Sequence, residues 1–215
     1  MCRAAALLAA LAATACAGAR TEQPTTPPVP STAELEALYR ARTDSARMRF
    51  TEADVHFMTG MIAHHAQALV MSALAPTHGA SPAVQTLCAR IINAQRDEIA
   101  TMQGWLRDRG QTVPEVHIEG LSLMIHGVAE HHPHMPGMLT RAQLEELDRA
   151  RGAEFGRLFL TYMIQHHQGA VTMVHDLFGT DGAAQDEEAF KLASDIQVDQ
   201  ITEIARMTLM LSELP

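Results

Sequence analysis

Two adjacent histidines with a methionine one helical turn before them occur twice in this chain. Phe57-x3-Met61-x2-His64-His65 recurs as Phe159-x3-Met163-x2-His166-His167, each followed by an alanine (Ala68, Ala170) and a methionine (Met71, Met173). The offset is constant at 102 residues (166 − 64 = 102). A second motif follows each pair. Ile91-x3-Gln95-x2-Glu98-Ile99-x2-Met102 matches Ile196-x3-Gln200-x2-Glu203-Ile204-x2-Met207 at an offset of 105 (196 − 91 = 105). The difference of three falls between the motifs, where a loop absorbs it. Imidazole and thioether together suit soft and borderline transition metals. With few carboxylates among them they suit copper, Cu(I) especially, while imidazole alone would also accept Cu(II), Zn or Ni. The expected ligands are therefore Met61, His64, His65 and Met71 in one half, and Met163, His166, His167 and Met173 in the other.

The stretch Met124 to Met138 adds His126, His131, His132, His134, Met135 and Met138, a density of donors that reads as an open copper-capture strand. A plain polar linker packed by its methionines is the competing reading. His56, His78, His117 and His175 are scattered, and surface or helix-end positions explain them.

Positioning such donors requires helices. Phe57, Met61, His64, Ala68, Met71 and Ala75 advance by alternating steps of four and three, the apolar stripe of a bundle helix. His64 lies on that stripe and His65 at its flank, about 100° round the helix. On the partner helices Gln95, Glu98, Gln200 and Glu203 fall on or beside the apolar stripe. Buried polar groups need partners, so Glu or Gln would hold an imidazole N–H and turn the other ring nitrogen inward. Asp54 stands at the head of the first repeated helix, but its repeat equivalent is Gly156. The same residues could instead form a metal-free network that only locks helix register.

Capping boxes and breakers predict a short helix from Ser31 to about 48, then long helices over about 52–75, 82–109, 153–178 and 186–213. A short helix opens at Thr140. Residues 111–137 carry no assignable element beyond a weak strand pattern at Val113 to Ile118. The expected fold is all-α: a four-helix bundle made of two related hairpins, 51–110 and 153–213, joined by a connecting segment at 111–152.

Composition agrees. Apolar residues make up 47% of the chain but aromatics only 4%, so the core must be Leu, Ile, Val, Ala and Met, a mix suited to helix packing. A net charge of −9 argues against nucleic acid as partner. No nucleophile–base–orienter set is evident. The Glu-x-x-His motifs of a di-iron oxidase are also missing, which leaves a metal-dependent oxidoreductase as the weakest of the three readings.

Residues 1–15 read as an export signal with Arg3 before a short apolar run, and Ala13-Thr14-Ala15-Cys16 resembles a lipobox, making Cys16 the expected lipidation site. A Pro/Thr-rich tether follows, within 16–47. Cys88 sits at an apolar position of its helix and is expected to be a buried apolar residue.

The string Met-Ile-x-His-His-x-x-Ala-x-x-Met, the Ile-x3-Gln-x2-Glu-Ile-x2-Met motif and Met135-Pro136-Gly137-Met138 resemble the family called domain of unknown function 305. The resemblance covers about residues 48–213. It implies an exported protein with a ferritin-like four-helix bundle and a link to copper, and it maps the family's His pair and methionines onto the residues named above. An acid like Asp54 is usual where Gly156 stands. The expectation is thus a lipid-anchored, extracytoplasmic copper-binding protein for sequestration or for hand-over to a metal-transfer partner. The alternative is a structural lipoprotein.

Overall fold

The first long helix begins where Thr51 turns its hydroxyl to the Asp54 backbone N–H while the Asp54 carboxylate accepts the Thr51 N–H at 2.8 Å. Such a reciprocal cap contributes about 1 kcal/mol. The computed structural model describes residues 30–127 and 135–214. The leader, Cys16, most of the tether, and His131, His132 and His134 lie outside the described residues. Within the described residues the elements run α1 (Thr32–Arg47), α2 (Glu52–Ser72), α3 (Pro82–Asp108), β1 (Glu115–Glu119), β2 (Ser122–His126), α4 (Arg141–Arg149), α5 (Gly152–Phe178) and α6 (Glu187–Ser212).

The architecture is a helical bundle. Helix α2 packs along α3, and α5 along α6, as two hairpins; α2 then crosses α5, while α3 and α6 touch only lightly. Ala68 and Met71 at the end of α2, with Ala75 in the turn after it, share one core cluster with Phe155, Phe159 and Met163 at the start of α5. Phe57, Met58 and Met61 share the other with Ala170, Val174 and Leu177. Helices α2 and α5 therefore run antiparallel, as a two-fold relation between the repeats requires. The two apolar clusters sit at opposite ends, and the histidines lie between them.

The ends are pinned by polar contacts. Asp186 caps α6 at Ala189 and also accepts from Trp105 Nε1 at 2.9 Å and from Arg109 at 2.6 Å. His78, in the α2–α3 turn, reaches the Asp148 backbone carbonyl at 2.9 Å and so ties α4 to the bundle.

The connecting segment departs from expectation. Where the sequence suggested an unassigned loop, β1 and β2 pair antiparallel from Glu115↔His126 to Glu119↔Ser122, around the two-residue turn Gly120-Leu121. Val116, Leu123 and Ile125 press one side of this hairpin onto the bundle. A short hairpin is marginal alone and gains its stability from the helix beneath it, and such support leaves little trace in a one-dimensional pattern.

Candidate metal centre

Four imidazoles occupy the layer between the two cores, and His64, His65, His166 and His167 are all fully buried. Helix α2 supplies the first two and α5 the others. Because the helices cross antiparallel at this point, His64 and His166 meet ring to ring, their centroids 3.8 Å apart at 36°. His65 and His167 stand on either side, 6.5 Å and 6.2 Å from their neighbours in sequence.

Three of the four rings donate one N–H to an identified acceptor. His65 Nε2 donates to Glu98 Oε2 and His167 Nε2 to Glu203 Oε2, both at 2.7 Å. His64 Nε2 donates to the Pro136 carbonyl at 3.0 Å. An acceptor on Nε2 fixes that nitrogen as a protonated one, which leaves the lone pair of a neutral ring on Nδ1. Those three Nδ1 atoms are buried with no hydrogen-bond partner, and neither nitrogen of His166 makes a hydrogen bond of good geometry. An unpartnered buried nitrogen costs about 1–3 kcal/mol, so five in one layer call for an explanation. Carboxylate or carbonyl on one imidazole nitrogen with the other left bare is how proteins prepare a metal ligand. The donor chemistry therefore fits a metal. The convergence is incomplete, since among the described residues no three His, Cys, Asp or Glu side chains form a finished cage.

Burial sets the charge of the layer. Desolvation, followed by the neighbouring imidazole of His65, pushes His64 down to about 3. His166 is lowered well below its ordinary value by desolvation and then by His64, opposed only by the His64 backbone carbonyl. Both rings are neutral at physiological pH, the protonation state in which imidazole ligates metals. On the α3–α6 face, burial and then the charges of Glu98 and Glu203 raise Asp199.

A strap closes the layer on the opposite side. Gln67 grips Leu139 twice, through Nε2 to its carbonyl at 3.0 Å and through Oε1 from its N–H at 2.7 Å. Gln165 donates to the Gly137 carbonyl at 3.3 Å. The backbones come so close that a Cβ on Gly169 would lie 1.9 Å from the Pro136 oxygen. The His/Met-rich segment therefore ends by sealing the His64–His166 pair.

The remaining expected residues divide. Met61, Met71 and Met163 are fully buried in the apolar clusters. Met135, Met138 and Met173 are half-buried, and His126 is exposed on β2. Glu98 and Glu203 hold imidazoles as expected. Gln95 and Gln200 do not, for both Gln95 amide atoms and Gln200 Oε1 are buried without partners. Asp54 is not beside the histidines. Its second oxygen accepts the Ala184 N–H at 2.7 Å, holding a residue with φ of 53° in the α5–α6 turn. Cys88 is buried, and desolvation raises its thiol to about 12, so it is an inert core residue. Sequence reasoning missed Gln67 and the Pro136 carbonyl, which act through backbone contacts. It also set aside His56 and passed over Asp176, which line a groove beside Met135 and Met173.

The family model for "Domain of unknown function (DUF305)" matches residues 54–211. Among solved structures, a DUF305 fragment from Deinococcus radiodurans is 30% identical, with a TM-score of 0.63 over 77% of this chain and 99% of that one. A DUF305 protein from Streptomyces coelicolor, described as secreted, is 25% identical, with a TM-score of 0.63 over 75% and 91%. CopM in its Cu(I)-bound form is 27% identical, with a TM-score of 0.54 over 74% and 95%. In its Cu(II)-bound form the identity is 28% and the TM-score 0.56 over the same shares. No curated protein sequence matches the chain.

Proposed function

The chain belongs to the DUF305 family, and from that premise we propose that it binds copper outside the cytoplasm, for sequestration or hand-over rather than catalysis. The observation that carries this reading is the layer of five unpartnered imidazole nitrogens at the crossing of α2 and α5. Two further facts support it: CopM, solved with Cu(I) and with Cu(II), is similar over most of its length, and the His/Met-rich strand leads straight onto the strap over His64. The expected ligands are His64, His65, His166 and His167, with Met61, Met71, Met163 and Met173 nearby in sequence. His126, His131, His132, His134, Met135 and Met138 would act as capture donors. Among the described residues no helix is long and apolar enough to cross a membrane. Residues 1–15 as an export signal and Cys16 as a lipidated anchor complete the proposal.

The His65–Glu98 and His167–Glu203 pairs favour a second reading, in which the layer only fixes the bundle's register. Metal analysis of the purified chain, with anaerobic Cu(I) titration against a competing chelator, separates the two. Copper binding that weakens when His64, His65, His166 and His167 are replaced by Gln supports the first reading. A chain that retains and binds no transition metal leaves only the second. Replacing His131, His132 and His134 by Ser tests their part as capture donors.

A further inference from the structure

A groove of about 300 Å³ opens between the start of α2 and the end of α5, roofed by Met135 and Pro136. Its walls are largely apolar, with Phe57 and Leu177 among them. Five of its lining side chains nonetheless carry donors: the thioethers of Met135 and Met173, the imidazole of His56, the carboxylate of Asp176 and the hydroxyl of Thr180. Pro136 is shared between two places. It lines the groove, and its carbonyl accepts from His64 Nε2 at 3.0 Å. The strap is thus the wall between the groove and the buried histidine layer.

The duplication supplies an internal control. Counting back 102 residues, Met173 corresponds to Met71 and Asp176 to Leu74, while 102 residues after His56 stands Leu158. Met71 and Leu158 belong to one apolar cluster, and the partly buried Leu74 packs against it. The same architecture is therefore built with leucine where this half has histidine and aspartate, so the fold does not require polar groups there. The side that keeps them is the side on which the strap lays Met135.

We propose that this groove binds a soft monovalent cation, Cu(I), through Met135, Met173 and His56, with Asp176 neutralising its charge. The inference rests on the copper reading above and adds a site outside the histidine layer. Thioethers are neutral and polarisable, so they can ligate a soft ion in apolar surroundings, where an oxygen-seeking divalent ion would lack partners. One carboxylate balances one positive charge at the mouth of the groove, where Asp176 and His56 are exposed. Pro136 joins the groove to His64, a geometry suited to receiving copper before it is stored.

The test uses the full chain. Anaerobic Cu(I) titration against a chromophoric chelator compares the native protein with the M135L/M173L and H56L/D176L double variants. The second of these writes the other repeat's leucines into this half, and circular dichroism checks that it folds. The expected result is loss of one binding equivalent in each, or a fall in affinity of at least about tenfold, the scale on which even outer-shell losses register at metal sites. In the native protein with isotope-labelled methionine methyl groups, Ag(I) as a redox-inert probe should shift the Met135 and Met173 signals before that of the buried Met207. Undiminished Cu(I) binding by both variants, or methyl signals of Met135 and Met173 indifferent to Ag(I), would overturn the groove site while the copper reading stood. A native chain that binds no Cu(I) would overturn both.

Discussion

His166 states the problem of this molecule most sharply, because it is fully buried with no hydrogen bond of good geometry on either nitrogen. If it is kept for a ligand rather than for stability, H166L should raise the urea midpoint of the metal-free protein while weakening copper binding, an exchange of stability for function. A lower midpoint would show that the ring stabilises the layer. Glu98 and Glu203 lead to the opposite expectation. Replacing either by Ala strands an imidazole N–H in the interior and should cost about 1–3 kcal/mol in denaturant unfolding. The pH response follows from the depressed histidines. With His64 at about 3 when folded and near 6.5 when unfolded, the unfolded chain takes up the proton first as pH falls. Stability is therefore complete above about 6.5 and declines towards 3, by up to about 1.4 kcal/mol per pH unit for each such ring. Urea midpoints of the metal-free protein at pH 7 and pH 5 measure that slope, and a flat response would show that these rings titrate alike in both states.

Among the elements, the strap from Met135 to Leu139 depends on the absence of side chains. Gly169 is the point of closest approach, and Gly137, with φ of 76°, meets the Gln165 carbonyl at 2.6 Å from where its Cβ would be. G169A should therefore displace the strap, cost about 1–3 kcal/mol as overpacking does, and speed amide exchange at Leu139. G104A is the control: its Cβ would meet nothing within 4 Å, in the interior of α3. That change should instead stabilise by about 0.5–1 kcal/mol. If both variants behaved alike, the close contact at Gly169 would not be what fixes the strap. The hairpin β1–β2 plays a quieter part, covering the first half of α2 so that the helix is buried on nearly all sides.

For the molecule as a whole, binding at the centre must stabilise the bundle, because the donors come from both hairpins and are assembled only in the folded state. A ligand at a hundred times its dissociation constant adds about 2.7 kcal/mol to unfolding. Cu(I) should then raise the melting temperature in a concentration-dependent way, and the H64Q/H166Q variant should lose most of that rise. An unchanged melting temperature under saturating Cu(I) would place the metal on groups that do not bridge the hairpins. The two-fold relation also explains why the layer sits at the midpoint. An antiparallel crossing brings equivalent positions together only at the axis, and His64 and His166 are the equivalent residues found there.

The periodicity of apolar residues and the capping boxes were enough to place the long helices, because both are local and repeat with the helical turn. The constant offset showed the duplication, and an acid or amide on the facing stripe was expected to hold each imidazole. That Glu98 and Glu203 would do so while Gln95 and Gln200 would not was not legible there. The chain as a string could not show that His64 and His166 would stack on each other. Nor could it show that a proline carbonyl 72 residues on would take one of their protons, or that Asp54 would leave the histidines and hold the α5–α6 turn. Those outcomes depend on how two hairpins cross and on backbone groups that every residue carries, so no residue type announces them. The groove beside Met135 is of the same kind: its donors come from α2, the strap and α5, and only packing makes them neighbours.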